Sequence, residues 1–147
     1  MKPIKAFDEF IKQGIVKRHS PDISRAEFLV NESKNTYEAL IERVTVMGIT
    51  NKNANSIAKE CYDSIMEVVR ASMLRNGMHA SGMGAHEAEV AYMRNLGLSE
   101  TDVQFADRLR YFRNGMLYYG TIVDKEYAQQ ALEFTKRIYP KLKRRVT

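Results

Sequence analysis

The segment from Arg110 to Gly120 places charged and amide side chains inside a run that is otherwise apolar and aromatic. If residues 101 to 119 form one helix, four apolar side chains recur at helical spacing beside Arg113, namely Phe105, Leu109, Phe112 and Met116. Burying a guanidinium without a partner is costly, so Arg113 has to meet a carboxylate, a backbone carbonyl, a bound anion or a water-filled groove.

The end of this helix has the composition of a nucleotide or RNA site. Arg110 and Arg113 lie one turn apart, a spacing that suits two phosphate oxygens. Asn114, Tyr118 and Tyr119 follow at the same helix end, and tyrosine rings stack on bases or donate hydrogen bonds to phosphates. We therefore predict that these five residues bind a nucleotide or RNA.

A structural role for Arg113 is the alternative interpretation. The guanidinium would then only bridge helices, paired with one of three acids, Asp63, Glu67 or Asp107. In that case Arg113→Ala destabilises the fold without altering any binding.

Neither the histidines nor the cysteine form a known metal or nucleophile motif. His79 and His86 flank a glycine-rich stretch at 77–84, with Glu87 and Glu89 close behind, but the spacing matches no known set of metal ligands. We predict no metal and no cofactor. His19 lies in a polar loop and is predicted to be exposed. The single cysteine, Cys61, falls among apolar positions and is predicted to be in the core.

The elements that position these residues are predicted to be helices throughout, with no strand. The periodicity favours helices at about 3–13, 23–47, 52–76, 86–96, 101–119 and 124–144, with a loop at 77–84. Asp22 or Ser24 is a candidate cap for the second helix, and Ser99 for the fifth. The expected fold is all-α: an antiparallel bundle of about four long helices plus a short insert helix, in one domain spanning 1–147.

Charge is concentrated at one end of the chain of 147 residues. The net charge is +5, yet the basic segment 136–147 holds six basic residues and no acid, so residues 1–135 carry −1. The segment either contacts RNA phosphates or complements the helix dipole and aids solubility. No apolar run reaches the roughly 20 residues that span a bilayer, and the N-terminus has no apolar signal core. We expect a cytoplasmic protein without membrane contact.

The order of these features resembles that of the HEPN family of small helical proteins. The matching features are two long helices, a loop with glycine and histidine, a short helix, and the string Arg113-Asn114-Gly115-Met116-Leu117-Tyr118-Tyr119-Gly120. The resemblance covers residues 1–145 in outline and includes the stretch 14–18 with Pro21-Asp22 before a long helix. Its specific part is the eight-residue string.

The resemblance implies a function in RNA or nucleotide biology. Ribonuclease members of the family share an arginine, a polar residue and, four to six residues on, a histidine, and two such motifs at a dimer interface form a metal-independent site. Arg113 and Asn114 match, but Tyr118, Tyr119 and Gly120 occupy the histidine positions. A tyrosine hydroxyl, with an ordinary pKa of about 10, is a poor general base at neutral pH.

By this resemblance we expect a non-catalytic or weakly active module. It would form a homodimer through the motif helix and bind a nucleotide, RNA or a partner protein such as a nucleotidyltransferase, as in a toxin–antitoxin pair. Two alternatives stay open. One is a metal-independent ribonuclease with an altered site, in which Arg113, Asn114 and Tyr118 act. The other is a purely structural helical protein.

Overall fold

Residues 2–147 fold into six helices and one short β-ribbon. A computed structural model describes residues 2–147, so Met1 of the predicted domain lies outside the described residues. The elements are α1 Phe7–Lys12, β1 Val16–Arg18, α2 Ile23–Met47, α3 Ala54–Arg75, β2 Met78–Ala80, α4 Ala85–Tyr92, α5 Glu100–Tyr118 and α6 Lys125–Val146. The mostly helical character predicted from the sequence is confirmed.

Helix α3 is the centre of the fold because four other helices, α2, α4, α5 and α6, pack against it. Its side chains are buried on most sides, from Ala54 to Met73. Cys61 is among them, as its place in the apolar pattern predicted. Four long helices and the short α4 therefore surround one core. No helix within residues 2–147 has the length and apolar character needed to cross a membrane.

Side-chain caps fix where three of the long helices begin. The Asp22 carboxylate accepts a hydrogen bond from the Arg25 amide at 3.1 Å, which starts α2. Ser99 caps α5 through the Asp102 amide at 3.2 Å. Both caps were among those predicted. Asp124 caps α6 in the same way. The two short helices are shorter than predicted: α1 begins at Phe7, and α4 ends at Tyr92.

The prediction that the chain contains no strand was wrong for six residues. β1 and β2 pair antiparallel, with Lys17 opposite His79, and so join the loop before α2 to the glycine-rich loop after α3. Three residues per strand are too few to produce an alternating pattern, and the partners are far apart in sequence. Gly77, at φ 71°, is required here because a Cβ atom would lie 2.3 Å from the His19 carbonyl oxygen.

Candidate functional site

Arg113 of α5 points towards α3. One of its terminal nitrogens lies 3.4 Å from the Asp63 carboxylate, and its guanidinium sits 5.6 Å from the centre of the Tyr62 ring. Asp63 is one of the three acids that the sequence offered as partners. The side chain is therefore held by an ion pair and a cation–π contact inside the fold.

Arg110 is also directed at acids. Its Nε donates to Asp107 Oδ1 at 2.7 Å, and a terminal nitrogen donates to Glu87 Oε1 at 3.3 Å. Asp107 is buried, with 3% of its surface exposed. A buried carboxylate needs such a partner, so Arg110 joins α5 to α4 and neutralises a charge in the interior.

A third arginine completes this group, which we call the arginine cluster (Arg70, Arg110 and Arg113). Arg70 Nε donates to Glu89 Oε2 at 2.9 Å, and the other Glu89 oxygen lies 3.3 Å from His86 Nδ1. Burial acts to raise the pKa of Glu89, but hydrogen bonds and charge from His86 and Arg70 outweigh it and hold the pKa below its usual value.

The buried Tyr62 hydroxyl lies at the centre of the cluster. Burial raises the pKa of this hydroxyl, the charge of Glu89 acts in the same direction, and the charges of all three arginines act to lower it. Within residues 2–147 this hydroxyl and Arg113 Nε are buried polar atoms that make no hydrogen bond. Each arginine nonetheless has an acid partner, so the cluster is organised as a scaffold between α3, α4 and α5.

The remaining predicted site residues have different surroundings. Asn114 is half-buried, whereas Tyr118 and Tyr119 are 74% and 86% exposed. Leu117 and Ile122 are also exposed on the same helix end and turn. We call these four residues the aromatic end: Leu117, Tyr118, Tyr119 and Ile122. Of the five predicted residues, the two arginines thus face the interior, the two tyrosines face solvent, and Asn114 is half-buried.

The turn after α5 holds the aromatic end in place. The Gly115 carbonyl accepts hydrogen bonds from the amides of Tyr119 and Thr121, at 2.8 and 3.1 Å. Thr121 packs against Gly115 so closely that a Cβ there would lie 2.3 Å from its hydroxyl oxygen. Asn55 of α3 then donates to the Thr121 carbonyl at 3.0 Å. The exposed rings therefore project from an anchored turn.

His19, which directly follows β1, lies close to His79 of β2, although no sequence pattern connects the two histidines. The rings of His19 and His79 lie 4.9 Å apart, and both line a cleft of about 520 Å³ together with Arg25, Arg70, Asp22 and Glu89. We call this the histidine cleft. His19 is exposed, as predicted, but no local pattern links it to a residue sixty positions later. The pairing of β1 with β2 brings the two rings together, and the sequence did not predict that pairing.

The basic segment 136–147 is only partly neutralised. Arg137 makes two hydrogen bonds to Asp102, and Arg145 donates to the Leu96 carbonyl at 2.9 Å. Lys141, Arg144 and Arg145 line a second cleft of about 460 Å³ beside the start of α5. Lys141, Lys143 and Arg144 have no acid partner within residues 2–147.

The described part of the chain contains no group of three or more histidine, cysteine or acidic side chains placed to hold a metal ion. Comparison with known proteins gave no match to a family model, to a curated protein or to a solved structure.

Proposed function

We propose that this chain is a non-catalytic, HEPN-like binding module that associates with a second copy of itself through the aromatic end. The observation that carries the proposal is the exposure of Tyr118, Tyr119 and Ile122 at 74%, 86% and 82% on an anchored turn. Apolar side chains clustered on a surface are typical of interaction sites, because water contact with them is unfavourable.

The charge distribution favours a second copy as the occupant. Residues 1–135 carry a net charge of only −1, so two such bodies repel each other weakly. α6 begins beside the aromatic end and runs away from it for 22 residues, which places its basic last turn about 30 Å distant. That distance exceeds the screening length of about 8 Å at physiological salt, so two basic segments do not oppose the association.

The end of the bundle that contains the aromatic end has further exposed apolar side chains on α2. Val46 and Met47 close α2 and are 85% and 66% exposed. They lie at this end of the bundle because Asn51, just beyond them, accepts a hydrogen bond from the Lys125 amide at 2.9 Å. An interface centred on the aromatic end therefore has further apolar surface to bury.

The pairing of the arginines supports binding over catalysis. Arg113 is engaged by Asp63 and Arg110 by Asp107 and Glu87, so neither brings a free charge to a substrate in the single chain. The string 113–120 contains no histidine, and the rings that stand in its place suit contact with a partner.

Self-association is tested by analytical ultracentrifugation of the full chain. We expect a concentration-dependent dimer whose dissociation constant rises at least about 100-fold in Tyr119→Glu, because the carboxylate would be buried in the interface. Phe28→Glu is the matched control: it places the same charge on an exposed ring near the other end of α2 and leaves the dimer intact. A wild-type chain that stays monomeric throughout, as it would if a different protein occupied this surface, overturns the proposal.

RNA binding by the basic segment is a second candidate function. It is favoured by basic residues of the segment that have no acid partner within residues 2–147, among them Lys141, Lys143 and Arg144. Replacing all three with glutamine removes charge while leaving the buried Leu142 and Val146 in place. We expect RNA affinity to fall and its logarithmic salt slope to decrease by about 2, as expected for three lost phosphate contacts on a single strand. An unchanged slope would exclude this segment as the RNA contact.

The same RNA samples test the absence of catalysis. We expect structured and single-stranded RNA to stay intact over hours with the wild-type chain. Cleavage that disappears in Arg113→Ala would contradict the non-catalytic proposal and support the ribonuclease alternative.

A further inference from the structure

The histidine cleft brings together side chains that the fold does not use elsewhere. His19 Nδ1 lies 2.6 Å from the Ser20 carbonyl oxygen, so this nitrogen carries the proton and donates. His79 is exposed on β2, and its ring makes no hydrogen bond within residues 2–147. One nitrogen of His19 and both nitrogens of His79 are therefore available to a ligand.

Basic groups outnumber acids around the cleft. Arg70 is paired with Glu89, but the Arg25 guanidinium has no hydrogen bond or ion pair to residues 2–147. Lys17 lies directly opposite His79 across the ribbon and projects on the same side of it. The Asp22 carboxylate is occupied by the cap of α2. Two arginines and two acids thus line the cleft, and Lys17 beside it adds a third basic side chain before any proton is added to an imidazole.

The size and the lining of the cleft suit a ligand that has an organic part as well as an anionic group. Its volume of about 520 Å³ is in the range of sites that hold small organic ligands. Leu29, Met73 and Met78 form part of its lining. These side chains offer apolar contact to a flat or aliphatic body, while Arg25 and the histidines offer donors to an anionic group.

We propose that the histidine cleft binds a phosphate monoester of about nucleotide size, with Arg25, His19 and His79 contacting the phosphate and the apolar side chains contacting its organic body. Arginine binds phosphate oxygens in pairs, and a dianion gains from the excess of basic groups. The site is separate from the aromatic end and does not depend on self-association.

The test is titration of the full chain with AMP, glucose 6-phosphate, inorganic phosphate and adenosine. Binding is measured by calorimetry and by the nuclear magnetic resonance signals of the histidine rings. We expect AMP or glucose 6-phosphate to bind more tightly than inorganic phosphate. The ring signals of His19 and His79 should move far more than those of His86, which is bonded to Glu89. Adenosine binding as tightly as AMP would overturn the proposal, and so would unmoved His19 and His79 signals with all four compounds.

Variants separate a phosphate site from general attraction by positive charge. Arg25→Gln should weaken the binding of the preferred ester at least about tenfold, and His79→Asn should weaken it independently. Arg18→Gln is the matched control, because Arg18 is an exposed arginine on the same ribbon that does not line the cleft. Equal losses in Arg25→Gln and Arg18→Gln would overturn the site, as would wild-type affinity in both Arg25→Gln and His79→Asn.

Discussion

The arginine cluster and the histidine cleft lie side by side and share the Arg70–Glu89 pair, yet they use charge in opposite ways. Every arginine of the cluster meets a carboxylate of another helix, at distances from 2.9 to 3.4 Å. In the cleft, Arg25 and His79 have no such partner within residues 2–147. Charges that the fold satisfies contribute to stability, whereas charges left unsatisfied in a concave surface are available to a ligand.

The difference predicts a graded series of stability effects. Removing a paired arginine leaves an acid without its partner, and the cost rises with the burial of that acid. Removing an unpaired arginine leaves no acid without a partner, so its effect on stability should be small. Each of these effects is measured as a change in the free energy of unfolding in urea.

Arg110→Ala should have the largest effect. It leaves the Asp107 carboxylate, which is 3% exposed, without a cation, and we expect a loss of about 3 kcal/mol. The double variant Arg110→Ala, Asp107→Ala should regain part of this loss because the unpaired charge is gone. A single variant as stable as the wild type would show that Asp107 does not depend on Arg110.

Glu89→Gln tests the acid that lies between the two regions. The folded-state pKa of Glu89 lies below its usual value, so the carboxylate stabilises the fold above that usual value and the contribution is lost as the pH falls through the folded pKa. We expect a loss of about 2 kcal/mol near pH 7 and a smaller difference near pH 3. A difference that grows as the pH falls would contradict the assigned pairing.

Arg113→Ala should have a smaller effect, because its partner Asp63 retains 42% of its side-chain exposure and water replaces part of the interaction. We expect a loss of about 1 kcal/mol, with Arg113→Lys restoring some of it. The proposal that Arg113 serves the scaffold also requires unchanged dimerisation in ultracentrifugation. Loss of the dimer with full stability would assign Arg113 to the interface.

Arg25→Ala should change stability least, within about 0.5 kcal/mol, since its guanidinium is exposed and unpaired. The measurement is made alongside the ligand titrations, so that unchanged stability can be compared with weakened binding in the same protein. A large stability loss would mean that Arg25 belongs with the paired arginines and would remove the contrast between the two regions.

Much of the fold followed from sequence patterns because long helices carry their own signals. The predicted bounds of α2, about 23–47, agree with the observed Ile23–Met47 because the Asp22 cap and Gly48 mark its two ends. The ribbon was missed because its pairing is a long-range event between two three-residue segments. Its strands are recognised only when the main chains lie together.

The candidate site was predictable in part because several of its residues belong to one long helix. Arg110, Arg113, Tyr118 and Tyr119 stood out because they interrupt one helical pattern, and Asp63 was among the partners that spacing allowed for Arg113. Spacing within one helix does not say which side chains another helix will neutralise. It also gives no information on His19 and His79, whose contact depends on the fold that joins two loops.

The most direct test of the proposed function is an isotope-filtered nuclear Overhauser experiment on an equal mixture of labelled and unlabelled chain at a concentration where the dimer forms. We predict cross-peaks between copies that link the ring protons of Tyr118 and Tyr119 to the methyl groups of Ile122 or Leu117 in a second copy. Cross-peaks between copies that arise only from other surfaces, or a chain that remains monomeric, would contradict the assignment of the aromatic end as the interface.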